Sequence, residues 1–515
     1  MGAVMVTTAV RQTPTVDEPV YVGAAADQLR THRLRYNPEH PPLGKLVIGV
    51  GVALAGPRVD TSFRGDQGQL GRHLLYESGN DPWRLMLWAR LPVIVLTLLF
   101  GLVVFAFARE LAGAAAGLLA LALYAFSPDV VAHGSLATLD VPAAGLLLTS
   151  VWLVWRGRCR PWRWLPLAGA ALGAALATGM TALAAVPPVL LLAGWSAWRG
   201  FVARDRRSRV LRAVAVTAVV AVVAVAVVWA VYLAVDPRLR WEPVRPVPEV
   251  RGRRGAAAGL LPFPEAYRDG MRTQFALEYR PWETYLFGRV RATPLWYYLP
   301  VALLVKTPLG MLALWAAGCV AVLSVRRLRP AAPYLLLPAA VLLAAALPGA
   351  RNLGTRYAVF LPMFLSVAAG CVVAVRTRWT RAAAGVLAAF VAVSSLRAFP
   401  YYLPYSNEAF GGPARTRLVL HDSNVDWGQD LGRLAERLRT RYPGERVWLV
   451  YKGSGVPSFY GIEAADPRAV PVRRVRGLLV VSDSAAAKAR GRLARLLDGS
   501  RPVDDVGHSI TVYRR

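Results

Sequence analysis

Long apolar runs alternate with short, arginine-rich segments through the middle of the chain. About 20 consecutive apolar residues cross a bilayer as one helix, and most of the runs approach or exceed that length. The pattern therefore predicts a polytopic α-helical membrane protein. The runs centre on residues 85–107, 112–130, 140–155, 165–197, 211–235, 295–323, 331–349, 356–375 and 382–398.

The number and direction of the spans follow from the charged segments between the runs. Run 165–197 is flanked by "RGRCRPWR" and "RGFVARDRRSR", and short basic segments usually stay in the cytoplasm. A run that starts and ends on one side must cross twice, so we predict two short spans that turn near Thr178–Thr181. Arg109, Arg326–Arg329 and Arg376–Arg381 then also face the cytoplasm, which gives about ten spans with both termini outside.

The remaining stretches define the domains. Residues 1–84 form an N-terminal extracytoplasmic segment, in which the apolar stretch at 43–56 is too short to span and is predicted to be an interfacial helix. The membrane domain covers residues 85–399 and includes a long external loop at 236–292. Within that loop, "RGRRGAAAG" at 251–259 is typical of a disordered segment.

Beyond residue 400 the long apolar runs give way to short alternating elements. The stretches "RLVLHDSN", "RVWLVYKG", "GLLVVSDS" and "HSITVYRR" are typical of strands, whereas "GQDLGRLAERLRTRY" and "SAAAKARGRLARLLDG" are typical of helices. Asp426 and Gln429 have capping-box spacing for the helix that runs through Arg441. The alternation predicts a small extracytoplasmic α/β domain over residues 400–515.

Composition supports the membrane assignment and argues against other classes. The 515 residues are 55% hydrophobic, with a formal net charge of +30. Only four of the 61 basic residues are lysines, as in proteins from GC-rich genomes, so the charge indicates attraction to anionic lipid rather than nucleic-acid binding. Cys159, Cys319 and Cys371 are scattered, and they predict neither a disulfide framework nor a metal cluster.

Candidate catalytic residues occur in two stretches near the start of the chain. Asp17 and Glu18 lie between two prolines, and "RYNPEHPPLGK" contains Glu39, His40 and Lys45. The acidic pair could equally be a solvated turn or a helix cap. The second stretch could simply start an interfacial helix with its prolines in the first turn.

Three further charged residues are predicted to lie near the outer surface. Asp140 could serve a reaction or cap the helix that starts at Val141–Pro142. Lys306 lies inside an apolar run, where an ionisable group is a functional candidate by default, but its side chain could also snorkel to the interface. Arg356 begins a span, so it could anchor the interface.

Carboxylates and cations around a lipid-accessible cleft suit the transfer of a sugar from a lipid phosphate. Phosphate is a good leaving group, so strong protonation by the enzyme is unnecessary. Such a reaction needs a carboxylate to take the acceptor's proton and cations to hold the departing phosphate.

The motifs, in this order, resemble those of the GT-C superfamily of membrane glycosyltransferases. Within it, the sequence is most similar to the protein O-mannosyltransferases and the bacterial aminoarabinose or lipid-carrier-dependent transferases. The matching segments are "DEP" at 17–19, "EHPPLGK" at 39–45, "AHGSLATLDVP" at 132–142, "WYYLPVALLVKTPL" at 296–309, "GTRYAVFLP" at 354–362 and "DSNVDWGQDL" at 422–431.

This resemblance implies an inverting glycosyltransferase in a bacterial cytoplasmic membrane, with its active site facing outside. It implies a polyprenyl-phosphate sugar donor and an extracytoplasmic protein, lipid or glycan as acceptor. Some relatives use a divalent metal, for which no ligands can be assigned here. The implied roles are Asp17 as general base with Glu18 beside it; His40, Lys45, Lys306 and Arg356 at the donor phosphate; Glu39 and Asp140 in support; and Asp422 and Trp427 at the acceptor.

Three departures from the family pattern leave alternatives open. Ser135 stands where relatives have arginine, and Gly179 stands where they have lysine. Only 16 residues precede Asp17, where the family has a membrane span, so either the first family span is absent or the start codon has been assigned too late. A catalytically impaired or scaffold protein is therefore one alternative. A lipid-linked-sugar transporter is another, although transporters usually show paired halves and charges near the membrane midplane.

Overall fold

The computed structural model describes residues 1–201, 205–375 and 377–515. Arg376, which belongs to a basic cluster predicted to face the cytoplasm, lies outside the described residues. The N-terminal segment contains four α-helices. They are α1 (Gly2–Arg11), α2 (Glu18–Thr31), α3 (Pro42–Ala55) and α4 (Gln67–Arg72).

Helix α3 corresponds to the predicted interfacial helix. Pro42 occupies its first turn, where the fixed backbone angle of proline suits a helix and its missing N–H is not needed. Gly56 ends the helix in the left-handed conformation and donates its N–H to the carbonyls of Val52 and Ala53. A Cβ at Gly51 would lie 1.8 Å from the carbonyl oxygen of Trp88. Only glycine therefore allows α3 to pack so closely on the following long helix.

Most of the apolar runs form helices in the first half of the membrane domain. The run at 165–197 is interrupted, as predicted, because a 3₁₀ turn at Met180–Ala185 separates two α-helices. The helices are α5 (Pro82–Ala112), α6 (Ala114–Ala125), α7 (Pro128–Gly134), α8 (Asp140–Arg156), α9 (Pro161–Leu176), α10 (Val186–Gly200) and α11 (Arg206–Val235).

The second half of the membrane domain contains the external loop and the remaining runs. The prediction of disorder at 251–259 is wrong, because Gly252–Leu260 forms a helix whose residue Ala258 is buried in the main core. The loop also forms a hairpin of β1 (Thr284–Leu286) and β2 (Arg289–Arg291). The helices are α12 (Gly252–Leu260), α13 (Glu265–Glu278), α14 (Tyr298–Lys306), α15 (Leu309–Ser324), α16 (Ala332–Ala346), α17 (Phe360–Gly370) and α18 (Arg378–Arg397).

The predicted count of about ten spans is not confirmed. In the described part of the chain, five helical segments are long and apolar enough to cross a membrane, or seven if each of two bent pairs is one span. The pair α6–α7 bends by 62° and the pair α14–α15 by 115°. Helices α8 and α9 have only 17 and 16 residues, so the runs that predicted them are shorter as helices than a full span. The polytopic helical class itself is confirmed.

Residues beyond 400 form the predicted α/β domain. Its sheet has the order β4–β3–β5–β7–β6, in which β3 pairs in parallel with β4 and β5, and β7 pairs antiparallel with β5 and β6. Apolar side chains cover both faces of the sheet. The elements are α19 (Leu431–Arg441), β3 (Val447–Val450), β4 (Ala464–Ala465), β5 (Leu478–Ser482), α20 (Asp483–Ala487), α21 (Arg492–Asp498), β6 (Arg501–Val506) and β7 (Ile510–Arg514).

Two local predictions in this domain are wrong. The stretch at 417–424 is not a strand: its apolar residues Val419 and Leu420 pack against the membrane domain, and Asp422 adopts a left-handed backbone that ends extended structure. Asp426 and Gln429 do not form a capping box. Instead, Asp426 accepts the N–H of Gly428, and Gln429 accepts the N–H of Trp427, in a turn before α19 begins at Leu431.

Candidate active site

Distant parts of the sequence meet where the C-terminal domain contacts the N-terminal segment. The backbone N–H of Val16 donates to the carbonyl of Trp427 at 2.9 Å, and that of Thr13 donates to Gln429 at 3.0 Å. The N–H of Thr355 donates to the side-chain oxygen of Asn424 at 3.1 Å. Residues 422–429 therefore join the acidic N-terminal motif to the segment that carries Arg356.

An ion pair lies at the centre of this junction. A guanidinium nitrogen of Arg356 donates to a carboxylate oxygen of Asp17 at 2.6 Å. The Asp17 side chain keeps 29% of its surface exposed, whereas that of Arg356 keeps 10%. The Arg356 guanidinium also lies 4.5 Å from the ring centre of Trp427 and 5.1 Å from that of Tyr357. The pair is thus fixed on the arginine side and accessible on the carboxylate side.

Glu18, next to Asp17, has a different environment. Its side chain is fully buried and accepts two bonds of 2.7 Å from Arg90, as well as the backbone N–H groups of Thr15 and Ala137. Burial would raise the pKa of Glu18, but the charge and hydrogen bonds of Arg90 and the two N–H donors hold that pKa below its ordinary value. Both oxygens are occupied by protein donors, so this carboxylate fixes the backbone beside Asp17.

Lys45 stabilises the loop that contains Glu39 and His40. The ammonium of Lys45 donates to the carbonyls of Asn37 at 2.9 Å and His40 at 2.8 Å. Burial lowers the pKa of Lys45 to about 7. The amide of Gln67 donates to the Glu39 carboxylate at 2.7 Å, so this acid also holds the loop. The structure therefore places Lys45 and Glu39 in loop support.

His40, in that loop, contacts Tyr21 of α2. The His40 Nε2 is 3.3 Å from the Tyr21 hydroxyl, and the rings meet edge to face. Burial, together with the charges of Lys45 and Arg356 and against that of Glu39, lowers the pKa of His40 to about 4. The imidazole is thus neutral near pH 7 and can share one proton with the phenol.

Asp140 and Lys306 differ in what they contact. Asp140 is the first residue of α8 rather than its N-cap, so the predicted capping role is wrong. Burial and the carboxylates of Asp17 and Asp140 raise the pKa of the Tyr21 hydroxyl, which places both acids near one phenol. Lys306 is buried and donates to the carbonyls of Leu403 and Asn424, and its ammonium lies 3.7 Å from the Asp129 carboxylate. It joins the membrane domain to the C-terminal domain.

The two predicted acceptor residues are both in the junction but are largely covered. Asp422 forms an ion pair with Lys452. Trp427 is 2% exposed, and its ring faces Arg356 and His133.

Sequence reasoning missed Arg90, although an arginine inside an apolar run is a signal of a buried partner. It also missed Lys452, for which no motif pointed to the site.

The N-terminal half of the chain matches a known family. The model for the dolichyl-phosphate-mannose-protein mannosyltransferases matches residues 2–238. The resemblance to this family is thereby confirmed. No curated protein matches the sequence.

Several solved structures are similar to this chain at low sequence identity. ArnT from Cupriavidus metallidurans bound to undecaprenyl phosphate has a TM-score of 0.49 and 16% identity, covering 99% of this chain and 96% of its own. Archaeal oligosaccharyltransferase AglB from Archaeoglobus fulgidus has a TM-score of 0.46 and 12% identity, with 94% and 69% covered. The S. cerevisiae Pmt1–Pmt2 complex bound to the sugar donor has a TM-score of 0.37 and 19% identity, with 47% and 34% covered.

The divalent metal implied by the family resemblance finds no ligand set among the described residues. No group of three or more histidine, cysteine, aspartate or glutamate side chains there could hold an ion. Near Asp17, the adjacent carboxylate of Glu18 is saturated by Arg90 and backbone donors. The residues present therefore do not fit a metal, and no chemical step is routed through one.

Proposed function

We propose that the protein moves a sugar from a polyprenyl-phosphate donor to an extracytoplasmic acceptor, with inversion at the anomeric carbon. The observation that carries this proposal is the partly exposed Asp17 carboxylate bound to the enclosed guanidinium of Arg356. A base and a phosphate-binding cation thus lie within one hydrogen bond of each other. The match of residues 2–238 to the mannosyltransferase family supports the same chemistry.

The proposed reaction is a single displacement. The acceptor hydroxyl attacks the anomeric carbon while Asp17 takes its proton, so the new C–O bond forms as the bond to the phosphate oxygen breaks. The polyprenyl phosphate leaves with the bonding electron pair, and Arg356 stabilises its negative charge. Because Arg356 binds Asp17 in this structure, the incoming phosphate must compete with Asp17 for the guanidinium. Donor binding would therefore also release the base.

The other charged and polar residues predicted for the site have different roles in this proposal. Neutral His40 can donate or accept one hydrogen bond at the phosphate, with Tyr21 holding its ring. Lys45 and Lys306 are occupied by backbone carbonyls, so they support the walls of the donor site and supply charge through space. Asp140 and Glu39 add negative charge on the acceptor side. Asp422 and Trp427 are proposed to form the acceptor wall.

The site is proposed to face the outside of a bacterial cytoplasmic membrane. Short arginine-rich segments at the opposite side of the helices, around Arg109 and Arg326, support this orientation. A lipid-linked donor can then enter from the bilayer, and the acceptor can reach Asp17 from the extracytoplasmic space.

An impaired scaffold is the second candidate, and Ser135 is the observation that favours it. Ser135 is fully buried and donates its hydroxyl to the Val131 carbonyl at 2.6 Å, so no cation exists at that position. Gly179 lies against Ala143. Arg356 is a remaining cation at the junction, which is why we favour an active enzyme.

The test is transfer of radiolabelled sugar from a polyprenyl-phosphate donor to envelope extract by the purified chain in nanodiscs. Asp17→Asn keeps the shape of the side chain and removes the base, so the rate should fall about a hundredfold or more. Asp60→Asn is a matched control because this acid is exposed in the same segment. Transfer at the unmodified rate by Asp17→Asn would contradict the assignment. If the unmodified protein binds the donor but transfers no sugar, this result would instead support the impaired scaffold.

A further inference from the structure

The four lysines of this arginine-rich chain fall into two groups. Lys45 and Lys306 donate to backbone carbonyls, and Lys452 and Lys488 lie in the C-terminal domain. Arginine presents a planar fork, whereas lysine presents a compact ammonium that can point at a small group. In a chain with 61 basic residues, these positions indicate where a point charge is required.

Lys452 and Lys488 lie at the carboxyl ends of two parallel strands. Lys452 follows β3, and its backbone N–H donates to the hydroxyl of Ser482, the last residue of β5, at 3.1 Å. Lys488 directly follows α20, the short helix after β5. In open α/β sheets, ligands bind outside the carboxyl ends of the strands. This edge of the sheet is therefore the expected place for a ligand.

Of the two lysines, one has an ion-pair partner among the described residues, because Asp422 pairs with Lys452. The side chain of Lys488 has neither a hydrogen bond nor an ion pair with any residue that the structure describes, and its neighbour Glu283 is bound by Arg490 at 2.6 Å. Burial, followed by repulsion from Lys452, lowers the pKa of Lys488. Both lysines are half-buried, and two half-buried cations in one region are less costly when an anion binds between them.

His421 adds an unused polar group to the same edge. Its ring stacks on Tyr285 with centres 5.3 Å apart, and it is 1% exposed. Within the described part of the chain, both ring nitrogens lack a hydrogen-bond partner. Burial, with Lys488 and Lys452 outweighing Asp422, lowers the pKa of His421 to about 3. Buried polar atoms without a partner usually mark a missing water or ligand.

Asp422 connects this edge to the candidate active site. The next residue, Ser423, donates its hydroxyl to the carbonyl of Leu353 at 2.9 Å, three residues before Arg356. Arg356 is also close enough to contribute to lowering the pKa of Asp422, after the larger effects of burial, Lys452 and His421. Residues 422–423 thus link Lys452 to the segment that carries Arg356.

We propose that Lys452 and Lys488 form a second anion site, which binds a phosphate group beside the Asp17–Arg356 centre. A phosphate monoester carries a charge of about −1.5 to −2 near pH 7, which is enough to neutralise the one positive charge that remains after Asp422 pairs with Lys452. Neutral His421 supplies one further hydrogen bond. The position of this group next to a sugar-transfer centre rests on the proposed function, whereas phosphate binding itself does not.

The experiment measures binding with the full-length protein in nanodiscs, in two arms. One arm titrates inorganic phosphate and the other undecaprenyl phosphate, each followed by isothermal calorimetry. Lys452→Ala and Lys488→Ala should each weaken binding about tenfold, as expected when one charge-assisted hydrogen bond is lost. Arg473→Ala is the matched control, because it removes one positive charge from an exposed position of the same domain. Lys488→Arg keeps the charge and shows whether the compact ammonium matters.

The two arms separate the sources of the phosphate. Weaker binding of inorganic phosphate alone supports a group on a water-soluble acceptor, whereas weaker binding of undecaprenyl phosphate supports the lipid carrier. Unchanged binding of both ligands by both alanine variants overturns the proposal, as does the absence of binding by the unmodified protein. Because no sugar transfer is measured, loss of activity in Asp17→Asn does not affect this result.

Discussion

Arg356 binds Asp17 from one side and lies against the ring of Trp427 on the other. The guanidinium therefore has its orientation set by an aromatic face from the C-terminal domain and its charge balanced by a carboxylate from the N-terminal segment. A phosphate that replaced Asp17 would meet a guanidinium already in place.

Arg356→Lys tests whether this geometry matters beyond charge. Lysine keeps the charge but loses the planar fork and the stacking on Trp427, so we expect transfer to fall at least about tenfold, with weaker donor binding. The measurement is donor affinity and transfer rate in nanodiscs. Arg326→Lys, at an exposed position, is the control and should have no effect. Equal rates for unmodified protein and Arg356→Lys would show that charge alone suffices.

Glu18→Gln tests the separation of roles within the acidic pair. It leaves Arg90 buried with a neutral partner, and breaking a buried ion pair costs about 3–5 kcal/mol. We therefore expect a lower midpoint of thermal unfolding for Glu18→Gln, whereas Asp17→Asn should unfold near the unmodified temperature. Glu77→Gln breaks exposed pairs with Arg72 and His73 and should change stability little. A stable Glu18→Gln protein would contradict the structural role.

The lowered pKa of His40 predicts that the stability of the protein depends on pH. Its pKa is about 4 in the folded protein, below the ordinary 6.5, so the unfolded chain takes up a proton first as the pH falls. Stability should therefore decrease between about pH 6.5 and pH 4, because the folded state favours the neutral ring. Thermal unfolding at pH 7, 6 and 5 measures this, and His40→Gln should reduce the slope. His32→Gln, an exposed control, should keep it; identical slopes in all three proteins would refute the prediction.

Topology can be tested with the native Cys159, which is exposed. An impermeant thiol reagent applied to intact cells should leave Cys159 unlabelled, because the adjacent basic segment is predicted to be cytoplasmic. A cysteine at Arg473, which is exposed in the C-terminal domain, should be labelled in a background of Cys159→Ser, Cys319→Ala and Cys371→Ala. A cysteine at Ser423 would be unsuitable, because this position is 1% exposed and the thiol reagent could not reach it. Labelling of Cys159 alone would reverse the proposed orientation.

The sequence predicted the helical class and the α/β domain because both depend on patterns that repeat over many residues. It did not predict the span count. The apolar runs around α6–α7 and α14–α15 continue through sharp bends, and hydropathy carries no information about direction. The strand predicted at 417–424 failed for a related reason, since Val419 and Leu420 are apolar for packing against α14 and β1 rather than within a sheet.

Within the candidate site, sequence reasoning found the charged residues but not the bonds between them. Motif order pointed to Asp17 and Arg356 together, and the structure places them 2.6 Å apart. Sequence reasoning named Asp17 as the base with Glu18 beside it, but it did not find the bonds from Arg90 to Glu18, because they depend on α5 crossing the N-terminal segment. Likewise, Lys45 and Lys306 looked like phosphate ligands, yet each is bound to carbonyls supplied by distant backbone.

The backbone bonds from Val16 to Trp427 and from Thr13 to Gln429 have a consequence for biosynthesis. Thr13 and Val16 are synthesised more than four hundred residues before their hydrogen-bond partners Gln429 and Trp427. A nascent chain, or one cut short before the C-terminal domain, would carry Asp17 without the tryptophan face that orients Arg356. The sugar transfer that we propose would then begin only after the C-terminal domain has been synthesised, so a partly made protein could not consume the proposed lipid-linked donor.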